Sequence, residues 1–231
     1  MKTQTTRRVH GFTLVELLVV IAIIATLTGI STTAIFRFRK SADKTTALNN
    51  IRQLQIANTA YSSDNNGEYV AAEGELGEEF AAATAAWYEN PEFISFLTSE
   101  NAQEIEDNES YELPEQFLDP AAVKAKGTGY MELYGSYAYN TQDADTDGGN
   151  IEGFRTSQVE DPARSMAFIS ADGGADGIID YAGASDIAYR HNDRAVMVFY
   201  DGHGAEMTES AVSNVNGGAT STFWDANQAD N

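Results

Sequence analysis

The sequence has no cysteine, three histidines and four prolines in 231 residues, and its 14 Lys and Arg face 35 Asp and Glu. Without cysteine there are no disulfide staples and no thiolate sites, although this assigns no compartment. With so few histidines an active site is hard to assemble: His10 lies in a short basic leader, which leaves His191 and His203. No serine sits in a G-x-S-x-G setting and there is no P-loop, so a nucleophile elbow and an assembly ATPase are both excluded. A hydrolase or zinc site built on Asp201 and His203 is the enzyme reading that remains. The net charge of −21 argues against nucleic acid or anionic lipid as a partner of the globular part, while leaving many carboxylates free for hard cations. Residues 64–123 contain no Lys or Arg at all.

What is present begins at Gly11. Gly11-Phe12-Thr13-Leu14-Val15-Glu16 runs into an apolar stretch, and from Phe12 to Ile35 Glu16 is the one charge and there is no proline. At about 1.5 Å per residue this stretch reaches roughly 36 Å, enough for a hydrocarbon core of about 30 Å, so a membrane helix is predicted. A carboxylate inside hydrocarbon costs on the order of a few kcal/mol unless it is paired or lies near an interface. A cut after Gly11 would supply a partner, because the new α-amine of Phe12 would lie about one turn from Glu16, on the same helix or a neighbour. Charge does not orient the helix, since Lys2, Arg7 and Arg8 precede it while Arg37, Arg39, Lys40 and Lys44 follow. A cleaved secretory signal or an ordinary signal anchor is the plain alternative. Against it, Glu16 interrupts the apolar block and Thr32 to Ala34 make a poor signal-peptidase site.

The ordered run Gly11 to Glu16 resembles the type IV prepilin signal. That resemblance implies cleavage between Gly11 and Phe12 by prepilin peptidase, N-methylation of Phe12, and docking of each incoming subunit through Phe12 and Glu16. It also implies other pilin or pseudopilin subunits, the inner-membrane assembly platform and membrane lipid as partners. The product would be a structural subunit rather than an enzyme. It would sit in the inner membrane with its C-terminal domain in the periplasm, or in a filament at the cell surface. Cleavage would lower the 14 basic residues to 11 against 35 acidic ones, a net charge of −24. Many pilins carry a proline as well as a glycine in this helix, whereas this sequence has Gly29 and no proline there.

Beyond the apolar stretch, Ala47, Ile51, Leu54, Ala57 or Asn58, and Tyr61 recur every three or four residues, with Asn49, Asn50, Arg52, Gln53 and Gln55 on the predicted opposite face. The helix is predicted to stop near Asp64-Asn65-Asn66-Gly67. Residues 1–11 thus read as a leader and 12–63 as one long helix, with 12–35 transmembrane or filament core. The acidic stretch 64–123 reads as a surface insertion with short helices at 78–87 and 92–97, anchored by Phe80, Trp87, Tyr88, Phe93 and Phe96. Strands are predicted at 130–139, 165–169 and 195–200, where β-prone residues cluster between Gly- and Asp-rich links. Short strands without helix-sized crossovers favour antiparallel pairing. The expected fold is therefore α+β, a long N-terminal helix packed on a small, mainly antiparallel C-terminal sheet within a globular domain at 64–207. A polar tail at 208–231, with Phe223 and Trp224 as its anchors, is expected to be poorly ordered.

Two further groups of residues invite chemistry. His191 is followed by nine residues and then Asp201-Gly202, within a region at 187–206. With Asp161-Pro162-Ala163-Arg164-Ser165 and Tyr137-Ala138-Tyr139-Asn140, this resembles the prepilin-like proteins named for a C-terminal H-X9-DG motif. A strand of about six residues would hold His191 and Asp201 roughly 20 Å apart, so a hairpin turn at Asp201-Gly202 is expected in preference to a shared metal. Asp143-Ala144-Asp145-Thr146-Asp147-Gly148 has the opening of a calcium loop, with Glu152 nearby and Phe154 where the closing acid would stand. Calcium on Asp143, Asp145, Asp147 and Glu152, or a plain acidic turn, are both open readings, and the second acidic loop at 172–177 shares them. A membrane-anchored module that never polymerises, holding calcium or a basic partner, is the alternative to a filament subunit.

Overall fold

The computed structural model describes residues 13–75, 84–98, 100–107, 113–126, 136–140, 155–172, 178–179, 182–215 and 221–224; at some of these, Ile30, Thr33 and Ala34 among them, it describes the backbone alone. The chain divides into two units, Met1–Arg39 and Lys40–Asn231. Helix α1, Leu14–Asp64, has 51 residues and supplies the described part of the first unit. There Leu14, Val15, Leu17, Leu18, Ile21, Ile23, Ile24 and Leu27 are each more than half exposed. The later hydroxyls turn inward: Thr26, Thr28, Ser31 and Thr32 donate to the carbonyls of Ile23, Ile24, Leu27 and Thr28 at 2.7–2.8 Å. Among the described residues no helix is long and apolar enough to cross a membrane. The span expected over 12–35 is therefore not found within them; it begins at Phe12, outside the described residues, and its second half is diluted by those hydroxyls.

In the second unit α1 buries Ala47, Ile51, Leu54 and Ala57, the predicted stripe. Asn50 and Gln55 are buried too, which corrects the solvated face expected for them. At about 100° per residue they border the stripe, and their amides are satisfied there. Asn50 Nδ2 donates to the carbonyls of Gln116 and Leu118, both at 2.9 Å, and Gln55 Nε2 to that of Tyr200 at 3.0 Å. The helix stops where predicted. Asn66 adopts φ +55° and the Gly67 N–H donates to the Ser62 carbonyl at 2.7 Å, a Schellman-type closure.

Strands β1 (Glu73–Glu75) and β2 (Thr84–Ala86) form a small antiparallel pair. The main sheet comprises β3 (Tyr137–Asn140), β4 (Met166–Ser170), β5 (Ile178–Ile179), β6 (Arg194–Phe199) and β7 (Gly204–Thr208), in the order β5-β3-β4-β6-β7. Every pairing is antiparallel except β3 with β5. The fold is α+β, as expected. Both sheet faces are covered. Tyr137, Tyr139, Phe168, Val196 and Val198 face the core shared with α1, while Ala138, Ile169, Ala195, Met197 and Phe199 face a second core. Ala167 and Phe168 both join the first because the β4–β6 register shifts between Met166 and Phe168, as at a bulge.

Trp87, Tyr88 and Phe93, expected as anchors of the acidic stretch, are buried. Trp87, Tyr88, Phe93, Leu113, Phe117 and Leu118 belong to the core shared by α1 and the sheet, with the Trp87 ring 5.1 Å from Phe168. The helices of this stretch are α2 (Pro91–Ser95), α3 (Ala102–Asp107) and α4 (Pro120–Lys126). The helix expected at 78–87 is corrected over its described end, where the Ala-rich run is strand β2 and Trp87–Glu89 a single 3₁₀ turn. Pairing with β1 and burial of Trp87 override helix propensity there. The tail expectation of poor order is corrected over the described residues 208–215 and 221–224. Thr208 caps helix α5 (Glu209–Ser213), accepting from Ala211 N–H at 3.3 Å, and Val212, Phe223 and Trp224 fill the second core. Phe80, the first six residues of the strand expected at 130–139, 130–135, and the tail residues 216–220 and 225–231 lie outside the described residues.

Candidate functional site

At the N-terminal end Gly11 and Phe12 lie outside the described residues, and the site begins at Thr13. The Glu16 N–H donates to Thr13 Oγ1 at 3.2 Å, while Glu16 Oε2 accepts from the Thr13 N–H at 2.9 Å and from its hydroxyl at 2.7 Å. This is a capping box, in which Ser or Thr before a helix and Glu three residues later satisfy each other's backbone donors. Glu16 is thus held at the start of α1 by its own chain. The Thr-x-x-Glu spacing was readable in the sequence, but the apolar run drew the reading toward an external partner.

At the other end of the chain, His191 is buried and its Nε2 lies 2.9 Å from Oδ2 of Asp119, which is fully buried. Arg190 Nη1 approaches the same oxygen at 3.5 Å, and its Nη2 reaches the Ala171 carbonyl and, at 3.9 Å, Asp172. Asp119 also caps α4. Its Oδ1 accepts from the Ala121 N–H at 2.8 Å, and its own N–H donates to Ser136 Oγ at 3.2 Å. The pair forms because the backbone aims both partners. Asn192 and Asp193 adopt φ of +57° and +59°, and the His191 N–H donates to the Arg194 carbonyl at 3.2 Å, a tight turn delivering the chain into β6. Asp119 was missed as a site residue. Leu118-Asp119-Pro120 carries a usable signal, an aspartate at the N-cap position with proline at the first helical position.

Asp201 and Gly202 make the β6–β7 hairpin turn, as expected. The Asp201 N–H donates to the Pro162 carbonyl at 3.1 Å, and its Oδ1 accepts from the His203 N–H at 2.9 Å and lies 2.6 Å from His203 Nδ1. The imidazole of His203 stacks on Phe199, with centroids 4.3 Å apart and planes 3° from parallel. Gly202 has φ +86°, and a Cβ there would meet nothing within 4 Å. Gly202→Ala is therefore expected to cost only backbone strain, about 1–2 kcal/mol in urea unfolding, without shifting its neighbours. The two ends of the motif make separate contacts, His191 with Asp119 and Asp201 with Pro162 and His203. Among the described residues no group of three or more His, Asp and Glu could hold a metal ion. The calcium candidates Asp143, Asp145, Asp147 and Glu152 lie outside the described residues, as do residues 173–177 of the second acidic loop.

Residues 6–32 match the family model of the prokaryotic N-terminal methylation motif. This is a type IV prepilin-like N-terminus. The match takes in the capping box and the apolar part of α1, and it supports a prepilin/pseudopilin-type subunit. No curated protein and no solved structure matches the chain. The methylation motif ends well before His191, so the resemblance of His191, Asp201 and Gly202 to the H-X9-DG group is no part of the match. Processing by prepilin peptidase and assembly with other pilin subunits are what a methylation motif implies.

Proposed function

We propose that this chain is a structural subunit of a type IV pilus-like filament or a type II secretion pseudopilus. The observation that carries the reading is the methylation motif at residues 6–32 running into a helix whose large apolar side chains are uncovered. Such a surface loses about 25 cal/mol of stabilisation per Å² left in water, so it calls for lipid before assembly and for the helices of other subunits afterwards. The precursor is held at the inner membrane with Lys40–Asn231 in the periplasm. Prepilin peptidase cuts between Gly11 and Phe12 and methylates the new amine. Glu16 then exchanges Thr13 for the Phe12 amine of a neighbouring subunit, a stronger, charge-assisted partner in apolar surroundings.

The test is the mass of the N-terminal peptide from cells with and without prepilin peptidase. A peptide beginning at methylated Phe12 is expected only when the peptidase is present. Glu16→Ala is expected to leave that peptide unchanged while removing the chain from sheared filaments. An intact leader in both strains, or a cut beyond Ala34, would overturn the reading.

A further inference from the structure

We infer that Phe36, Arg37, Phe38 and Arg39 form a ring around α1 that binds the anionic headgroups of a phospholipid surface. The inference rests on the reading of the chain as a membrane-associated subunit and adds to it a lipid preference. Successive helical residues leave the axis about 100° apart, so these four cover the whole circumference, aromatic and guanidinium in alternation. All four are exposed, Phe36 at 60 % and Phe38 at 76 %. Neither arginine has a carboxylate partner among the described residues; exposed Lys40 follows them directly, and beyond it Asp43 and Lys44 are engaged by Lys124 and Glu206. The ring directly follows the uncharged stretch after Glu16. Wherever that stretch lies in apolar surroundings, the ring marks the level at which polarity changes.

Three features select a lipid surface over a second copy of this chain. A protein partner presents one face, and would meet the two arginines on sides of the helix about 200° apart. A layer of headgroups surrounds a helix and can engage both. Aromatic rings beside cations with long stems also suit the boundary between acyl chains and phosphates, where the stems lie in the apolar layer and the charges reach outward. Finally, the guanidinium is shaped for bidentate bonding to phosphate oxygens. The acidic globular unit repels an anionic surface, so the ring is the part of the chain suited to hold it there.

The full chain, delivered from detergent, would be floated with vesicles of phosphatidylcholine alone and of equimolar phosphatidylcholine and phosphatidylglycerol. Wild type is expected to bind the mixed vesicles more tightly, an excess that salt removes. At about 1 kcal/mol per basic residue near such a surface, R37Q/R39Q should lower binding to mixed vesicles by about 30-fold and leave neutral vesicles unaffected. R37K/R39K, which keeps the charges without the guanidinium fork, should restore part of the excess. Equal responses of wild type and R37Q/R39Q to phosphatidylglycerol would overturn the inference. So would loss of self-association in detergent by R37Q/R39Q with vesicle binding intact, which would give the ring to a second copy. If the ring fails while the N-terminal peptide is still found methylated at Phe12, the proposed function stands alone. A chain that binds neither vesicle and keeps its leader would remove both.

Discussion

Raising the pH above about 10 should unfold the globular unit steeply, by about 4 kcal/mol per pH unit. Tyr137, Tyr139 and Tyr200 are all buried, and burial raises the pKa of each phenol above its ordinary value. Tyr137 is also raised by the neighbouring Asp119 carboxylate. A phenol that ionises near pH 10 in the unfolded chain stays protonated in the folded one. Between the unfolded and folded values the unfolded chain has therefore released a proton that the folded chain retains, and each phenol favours unfolding by about 1.4 kcal/mol per unit. Below pH 10 both states are neutral and the effect vanishes. With a net stability of about 5–15 kcal/mol, a domain of this kind is exhausted within a few units. Both tryptophans, Trp87 and Trp224, are buried in this unit, so their fluorescence in urea reports its stability alone. Tyr137→Phe, which removes the bond from its hydroxyl to the Ala47 carbonyl at 3.1 Å, should reduce the slope by about a third. A midpoint that does not move above pH 10 would sink this account of the core.

Asp119→Ala is expected to destabilise the same unit by about 3–5 kcal/mol, because it leaves buried His191 and largely buried Arg190 without their shared carboxylate. The loss of the α4 cap adds about 1 kcal/mol within that range. Asp119→Asn keeps the cap and one acceptor and should cost about half as much. The double variant with His191→Ala should cost clearly less than the two single losses together, since the partners share one contact. A cost for Asp119→Ala below about 1 kcal/mol would mean that the pair does not tie α4 to the turn before β6. The measurement also bears on the motif. A stability loss with maturation at Phe12 unchanged assigns His191 to the fold of the globular unit, away from the filament contact.

The helix and its ends were legible because both are local. The spacing Ala47, Ile51, Leu54, Ala57 states which side of α1 is buried, and Asn66-Gly67 states where the chain can turn left-handed and stop. The Asp201-Gly202 turn was legible for the same reason. The roles of Asn50 and Gln55 were not, because an amide beside an apolar stripe is solvated or buried according to which carbonyls the tertiary fold brings to it. Gln116, Leu118 and Tyr200 supply those carbonyls from far along the chain. The acidic stretch was legible in part, through its anchors Trp87 and Phe93 but without Phe117. Its charge described the side facing water, while Trp87, Phe93 and Phe117 on the other side close the main core.

The N-terminal motif was determined by the sequence alone, since the methylation signal is a linear string of residues. The same holds for the long helix and for the mainly antiparallel sheet, whose strands β3, β4 and β6 fall where β-prone residues cluster along the chain. Tertiary structure alone decided what His191 does. Its partner Asp119 lies 72 positions away, and a buried histidine on a carboxylate has no periodicity or spacing to announce it. Tertiary structure also decided that Phe223 and Trp224 close a second core, because the other face of the sheet had to be covered by whatever apolar residues the chain could still bring to it.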